Sequence, residues 1–289
     1  MKTLVLATAV VVAACVAACG GGSSGSGDTD AVPGDSIASV DAPPTTDGGC
    51  VATGAETCDM VDNDCNGLVD DVDEGGDGLY DCQTIALFGS AGANGSSNFV
   101  AWLESNGTDI VRIQDSTDGA PALTAAELDA HQVIILDRLI REYTDEEAAL
   151  LTAWVTAGGG LMVLTGYSGG GGDFYANTLL EDIGLEYNVS GGLLSGPVTT
   201  FNPHPVTGGL TSVTFSGGWV VGEVAGVTGG TNTVVASIGA YTVGIVQQRG
   251  LGRVFVWGDE WITFDSEWTS MPEIEGLWAN SLGWLGRFI

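Results

Sequence analysis

From residue 84 onward, apolar and polar positions run in blocks whose period changes along the chain. "TIALFG" (84–89) is a short continuous apolar run closed by Gly89, the pattern of a strand buried on both faces. A Gly- and Ser-rich turn follows. "NFVAWLESNG" (98–107) then takes helical spacing and stops at Gly107. "DIVRIQ" predicts a second strand, "QVIILD" (132–137) a third and "LMVLTG" (161–166) a fourth. Thr124 and Glu127 stand at capping-box spacing before a short helix. Thr144 and Glu147 repeat that spacing before a longer one. In the longer helix Ala148, Leu151, Ala153, Trp154 and Val155 are the expected apolar face, and Gly158 to Gly160 end it. Strands alternating with helices imply an α/β fold, a parallel sheet with helices on both faces.

The second half is patterned differently. "GPVTTF", "SVTFSG", "TVVASIG", "YTVGIVQQ" and "GRVFVWG", all within 185–258, are short β-rich runs. They predict antiparallel hairpins plus one or two strands that complete the sheet. "MPEIEGLWANSLGWLGRFI" closes the chain as a helix with Ile274, Leu277, Trp278, Leu282 and Leu285 on one side.

Residues 1–83 lack this periodicity beyond an apolar start. "MKTLVLATAVVVAAC" has one Lys, an Ala/Val-rich run and then small residues, the pattern of a secretory leader. Val-Ala-Ala-Cys occurs twice, ending at Cys15 and Cys19, and resembles the lipobox of bacterial lipoproteins. That resemblance implies acylation of a new N-terminal cysteine. Cys19 is favoured because the Gly/Ser tether (20–49) begins directly after it, with Cys15 as the alternative. The expected partner is then a membrane, and the expected location is the cell envelope, at the outer membrane or cell surface.

Cys50, Cys58, Cys65 and Cys82 remain, an even number in an exported chain, which predicts two disulfides of open connectivity. They delimit a stapled segment, 50–82, ahead of a large domain, 84–289. The chain carries 37 acidic against 7 basic residues, a formal charge of −30. That excess argues against nucleic acid as a partner and fits a surface that attracts cations. Seven of the acids fall within Cys58–Glu74, and between Lys2 and Arg112 there is no basic residue.

Chemistry enters with that acidic stretch. Taking Asp62 as position 1 of a calcium loop puts Asp64 at 3, Asn66 at 5 and Gly67 at 6. The Leu68 carbonyl falls at 7, Asp70 at 9 and Asp73 at 12. Ca²⁺ takes six to eight hard oxygens, and alternate residues of a tight Gly-containing turn point inward to supply them. Asp at position 12 has a shorter reach than Glu, and no helices flank the loop. Binding of order 10⁻⁴ to 10⁻³ M is expected, with Glu74, Asp77 and Asp81 as further candidate ligands. "CDMVDNDCNGLVDD" also resembles the MopE-like metal-binding motif of secreted and surface proteins of myxobacteria and their relatives. Here Met60 replaces a Gly, Asn66 an Asp and Asp71 a Glu.

In the large domain, "VIILDRLIREYTDEEAALLTAWVTAGGGLMVLTGY", "NPHPVTGGL" and "GRVFVWGDEWITFDSEW" resemble the class I glutamine amidotransferase-like (ThuA-like) superfamily. The resemblance implies a flavodoxin-like, three-layer sandwich, here with a β-rich second half. The amidotransferases of that superfamily use a Cys nucleophile, and this chain has no cysteine after Cys82, which excludes glutaminase chemistry. "GYSGG" (166–170) matches a nucleophile-elbow pattern that would pair Ser168 with His204 through an Asp, but glycines follow where a helix should begin.

"WGDEWITFDSEW" (257–268) is the densest cluster of chemistry. Asp259, Glu260 and Asp265 mix with Trp261 after a strand, where α/β sheets bind ligands, and Arg138 after the third strand can pair with them. The leading expectation is a noncatalytic domain that binds a protein or glycan ligand. One alternative is a glycan-directed hydrolase using the cluster around Asp259. The other is a structural component of an envelope assembly.

Overall fold

The computed structural model describes residues 50–286, apart from 60, 69, 77, 78, 80, 92, 93, 115–121, 168–171 and 272. The leader, Cys15, Cys19 and the tether lie outside the described residues, as do Asp77 and Ser168.

The first half follows the predicted alternation: β1 (Thr84–Phe88), α1 (Ser97–Ser105), β2 (Asp109–Ile113), α2 (Ala125–Asp129), β3 (Val133–Leu136), α3 (Asp145–Ala157) and β4 (Gly160–Leu164). Both capping boxes form. Thr124 and Thr144 each accept from the backbone N–H three residues on, and the Glu at that position accepts from the cap N–H. Gly158 ends α3 at φ 133°, a backbone conformation that side chains with a Cβ resist. The apolar face of α3 differs at one position. Ala148, Leu151, Trp154 and Val155 are buried with Glu147, whereas Ala153 is exposed. Ala153 lies about 200° around the helix from Leu151 and so turns to solvent.

The second half contributes α4 (Ala176–Glu181), β5 (Leu185–Asn188), β6 (Leu194–Val198), β7 (Thr200–Phe201), β8 (Val213–Gly218) and β9 (Val220–Glu223). It continues with β10 (Gly230–Ile238), β11 (Tyr241–Arg249), β12 (Gly252–Trp257), α5 (Asp265–Trp268) and α6 (Glu273–Leu285). One eight-stranded sheet runs β2-β1-β3-β4-β12-β11-β10-β7. The strands from β2 to β12 are parallel, and β11, β10 and β7 extend the sheet antiparallel. Four second-half strands therefore join it, not one or two. The reason is the long hairpin of β10 and β11, nine residues each. A two-residue turn through Gly239, at φ 58°, carries the ladder outward from β12. β5 pairs with β9 and β6 with β8 as separate ribbons.

Strand alternation divides the core into two layers. Ile85, Leu87, Val133, Ile135, Met162, Leu164, Phe255 and Trp257 face α1 and α6, on which Phe99, Leu103, Trp278 and Leu282 are buried. Ala86, Phe88, Ile134, Leu136, Leu161, Val163, Val254 and Val256 face α2, α3 and α4. The three-layer α/β sandwich is thus present, with the expected α6 positions Ile274, Leu277, Trp278, Leu282 and Leu285 all buried.

Two disulfides staple the acidic segment, Cys50–Cys65 and Cys58–Cys82. Leu79 is buried in the α1/α6 layer of the core, and Gly107 approaches Asp81 too closely for a Cβ. Gly67 and Leu68, at the tip of the acidic loop, line a hollow of about 300 Å³ with His131, Trp154 and Leu285. Among the described residues, no helix is long and apolar enough to cross a membrane.

Candidate functional site: a crevice at the carboxyl ends of the strands

The order β2-β1-β3 means that the chain leaves β1 to one side and returns to the other. Open α/β sheets bind ligands in the crevice above such a reversal. Here a cavity of about 420 Å³ opens there. Its walls come from the residues after β1 (Ser90, Asn94), after β3 (Arg138, Leu139, Ile140), after β4 (Thr165, Gly166, Tyr167) and after β12 (Glu260, Phe264), with Asp173 ahead of α4. Its size is within the usual range for small-ligand sites.

Two glycines are required by close approach. A Cβ on Gly89 would lie 2.3 Å from the Asp137 carbonyl oxygen, so only glycine lets the end of β1 pass beside the end of β3. A Cβ on Gly166 would lie 2.6 Å from the Glu260 side chain, so glycine admits that carboxylate to the wall.

Arg138 adopts φ 52°, which turns the chain at the end of β3. Its Nη2 donates to Asp137 Oδ2 at 2.8 Å, its Nε donates to the Ser90 carbonyl at 3.2 Å, and its guanidinium lies 4.9 Å from the Phe264 ring centroid. Arg112 adds a second cation 3.7 Å from Asp137 Oδ2. Burial raises the Asp137 carboxyl above the usual carboxylate range, against the pull of Arg138 and Arg112.

Glu260 is the carboxylate that faces the cavity. Burial pushes it up to about 7, with Asp137, Asp259 and Asp173 adding to the rise and Arg138 opposing it. Asp259, its neighbour, points elsewhere. It is fully buried, and its Oδ2 accepts from the Ser216 N–H at 2.6 Å while its Oδ1 accepts from the Trp261 N–H at 3.1 Å. Burial raises Asp259 to about 7 as well, against those backbone donors. Asp259 thus ties the end of β12 to β8 and does not line the crevice.

Asp265 is also a structural carboxylate. It accepts from Ser97 Oγ at 2.8 Å and from the Asn98 N–H at 2.7 Å, supplying the first turn of α1 with acceptors from a distant element. Trp261 packs on Phe264 at 5.4 Å, while Trp257 is in the core and Trp268 stacks on Phe99 and Trp102. Of the five residues singled out around this site, the fold brings Arg138 and Glu260 to the cavity wall, and Asp259, Trp261 and Asp265 away from it. The sequence reading missed Asp173, Thr165 and Tyr167. Asp173 follows a glycine run that reads as loop, although the Thr165 hydroxyl donates to its backbone carbonyl and holds it in place.

His204 stands at the other end of the sheet. Its ring meets Trp284 edge-on at 4.9 Å, and Arg253, which follows Gly252 at the start of β12, lies close enough to help lower its proton affinity after burial. Nδ1 accepts from the Val206 N–H at 3.2 Å. His204 thus stands beside the amino end of β12, while Ser168, the other half of the expected pair, lies outside the described residues.

In the acidic segment, one carboxylate oxygen each from Glu56, Asp62 and Asp64 lie within 4.8 Å of one another. Asp62 also accepts from the Asn66 and Gly67 N–H groups at 3.1 and 3.0 Å. Glu56, absent from the sequence reading, accepts from the N–H groups of Asp64 and Asp70 at 2.8 and 2.9 Å. Asn66 Oδ1 accepts from the Leu68 N–H at 2.8 Å. Asp70, buried at φ 55°, turns its Oδ1 to the Asp59 N–H at 2.9 Å, and neither Asp70 nor Asp73 joins the three-carboxylate group.

The family described as a domain of unknown function, DUF4350, matches residues 89–266. The chain belongs to this family. The DUF4350 match spans every residue named in the crevice wall. No curated protein matches the chain. Among solved structures, the mmIFT52 N-terminal domain is similar at TM-score 0.53 and 18% identity, over 70% of this chain and 97% of that one. A cytoplasmic protein from Salmonella typhimurium is similar at TM-score 0.52 and 15% identity, over 70% and 98%. A glutamine amidotransferase from Thermotoga maritima gives TM-score 0.49 and 11% identity, over 71% and 98%. The likeness to the first two shows a shared fold and nothing finer.

Proposed function

We propose that this DUF4350 protein is an exported, lipid-anchored cell-envelope protein whose α/β domain binds a small ligand without transforming it. The observation that carries the reading is the crevice of about 420 Å³ in which Arg138, Glu260 and Asp173 meet above the strand reversal. The chain lacks a cysteine beyond Cys82, so the nucleophile of the amidotransferases has no counterpart there. Export is supported by the apolar leader and by the two disulfides, which persist in oxidising compartments.

Ligand-observed NMR against a library of small fragments tests the crevice. Fragments are expected to bind the wild type and to lose binding in Ile140→Trp, which adds bulk at a partly exposed wall position. Fragments that bind both chains equally would remove the crevice from this account. For the anchor, intact-mass spectrometry of the membrane fraction is expected to find a mature chain that begins at acylated Cys19. An unmodified N-terminus would remove the lipid.

A second role for the acidic segment is favoured by the convergence of Glu56, Asp62 and Asp64. In this reading Ca²⁺ neutralises the clip that the disulfides close. Calorimetric titration of the oxidised chain is expected to give saturable binding of order 10⁻⁴ to 10⁻³ M. The binding should disappear in an Asp62→Ala, Asp64→Ala double variant and weaken in Glu56→Ala. Binding unchanged by the double variant would place the ion elsewhere.

A further inference from the structure

We propose that the crevice receives a small organic cation, a primary alkylammonium, with its charge beside Glu260 and Asp173 and its hydrocarbon on Leu139, Ile140 and Phe264. The proposal rests on the reading of the crevice as a binding site and adds the chemical class of its ligand.

The cations beside the crevice are already committed. Arg138 is held by Asp137, by the Ser90 carbonyl and by the face of Phe264. Its remaining nitrogen, Nη1, has no hydrogen-bond partner among the described residues, but it is sealed from solvent and so offers nothing to an anion in the cavity. Arg112 is committed to Asp137 and to the Gly89 carbonyl, 2.9 Å from its Nη1. The other charged groups of the wall, Glu260 and Asp173, are acidic. Among the described residues no hydrogen bond reaches the Glu260 carboxylate, and the negative charges of Asp137 (after β3), Asp173 (before α4) and Asp259 (after β12) all act on it. Arg138 is the cation that opposes them. A positive ligand offsets that excess in a partly desolvated cavity, where a charge-assisted hydrogen bond is stronger than a neutral one.

The geometry selects an organic cation over a metal ion. A hard divalent ion needs several oxygens gathered tightly around it. Among the described residues, the one group of three acidic or metal-ligating side chains tight enough is Glu56, Asp62 and Asp64, outside the crevice. An ammonium needs only one or two acceptors, and its alkyl chain suits walls that include Leu139, Ile140 and Phe264. Tyr167, 63% exposed, also lines the cavity and adds an aromatic side chain of the kind that attracts cations.

Calorimetry on the full, oxidised chain at pH 8 tests this with three probes of one length: n-pentylamine, n-pentanol and pentanoate. Pentylammonium is expected to bind saturably and the other two not to bind. Glu260→Gln is expected to weaken it about tenfold, and lowering the wild type to pH 5, where Glu260 holds its proton, to weaken it comparably. Glu260→Gln keeps the shape of the side chain, and a melting temperature no lower than that of the wild type excludes misfolding as the cause. Asp173→Asn, at the wall residue ahead of α4, is expected to weaken pentylammonium as well. Pentanol binding as tightly as pentylammonium, or affinity unchanged in Glu260→Gln, overturns the cation assignment. Where pentylammonium fails but fragments sensitive to Ile140→Trp bind, the crevice stands and the cation falls. Where no fragment binds either, both fall.

Discussion

Glu147→Ala is expected to destabilise the fold by about 3–5 kcal/mol, the range for breaking a buried ion pair by removing one partner. Glu147 is buried at the start of α3, 4% exposed. Its two oxygens accept from Arg141 Nη2 at 2.6 Å and Nη1 at 2.9 Å, from the Leu123 N–H at 2.7 Å and from the Thr144 N–H at 2.9 Å. Removing the carboxylate abolishes the capping box and leaves the Arg141 guanidinium, over the Tyr143 ring at 3.8 Å, without its counter-ion. The buried Leu123 N–H loses its acceptor at the same time. Equilibrium urea denaturation beside Glu146→Ala, an exposed neighbour on the same turn, measures the difference. A loss below about 1 kcal/mol would mean that water replaces the whole network.

The same network predicts a pH dependence with a definite sign. Arg141 above all, and the Leu123 and Thr144 N–H groups after it, hold the Glu147 carboxyl down to about 2 from an ordinary 4.5. A depressed folded value adds stability that is complete above the unfolded value and is lost as pH falls toward about 2. The term amounts to about 3 kcal/mol. It should appear as an acid limb, between pH 5 and 2, in the stability difference between wild type and Glu147→Ala.

Glu260→Gln is expected to do the opposite and stabilise the protein at pH 8 by about 1–3 kcal/mol. Burial raises Glu260 to about 7 from an ordinary 4.5, so its ionised form is disfavoured in the folded chain. The sign therefore reverses. The wild type is as stable as the variant below about 4.5 and falls behind as pH climbs through about 7. Thermal melts of both chains at pH 4 and pH 8 measure this, with the difference expected only at the higher pH. A residue whose removal stabilises the fold is retained for something other than stability, and the mouth of a binding cavity is where that trade is common. A variant less stable than wild type at pH 8 would mean that the ionised carboxylate is well compensated and would weaken its assignment to ligand binding.

These two glutamates show how unevenly the molecule can be read from its residues. Glu147 was visible three positions after Thr144, because a capping box is closed by neighbours in the chain. That it also anchors Arg141 and Leu123 was not visible, because those partners arrive through the turn after β3 and the segment before α2. Glu260 stood beside Asp259 in one provocative stretch, and nothing in the order of residues separates them. The fold does: β12 ends so that Asp259 turns into the β8 ribbon and Glu260 into the crevice.

What the sequence determined by itself is whatever is encoded at short range. The continuous apolar runs specify strands buried on both faces, the helical spacing and capping boxes specify α2 and α3, and the four cysteines specify two disulfides. Tertiary structure alone decided that four second-half strands extend the sheet, that Cys50 pairs with Cys65, and that Glu56 joins Asp62 and Asp64. It also brought Asp173 out of a glycine run to the same cavity wall as Glu260 and sent Asp265 to the first turn of α1. The physical reason is range. Periodicity and caps are satisfied by residues three or four apart, whereas a site is made where strand ends far apart in sequence meet, and that meeting depends on the order in which the sheet is assembled.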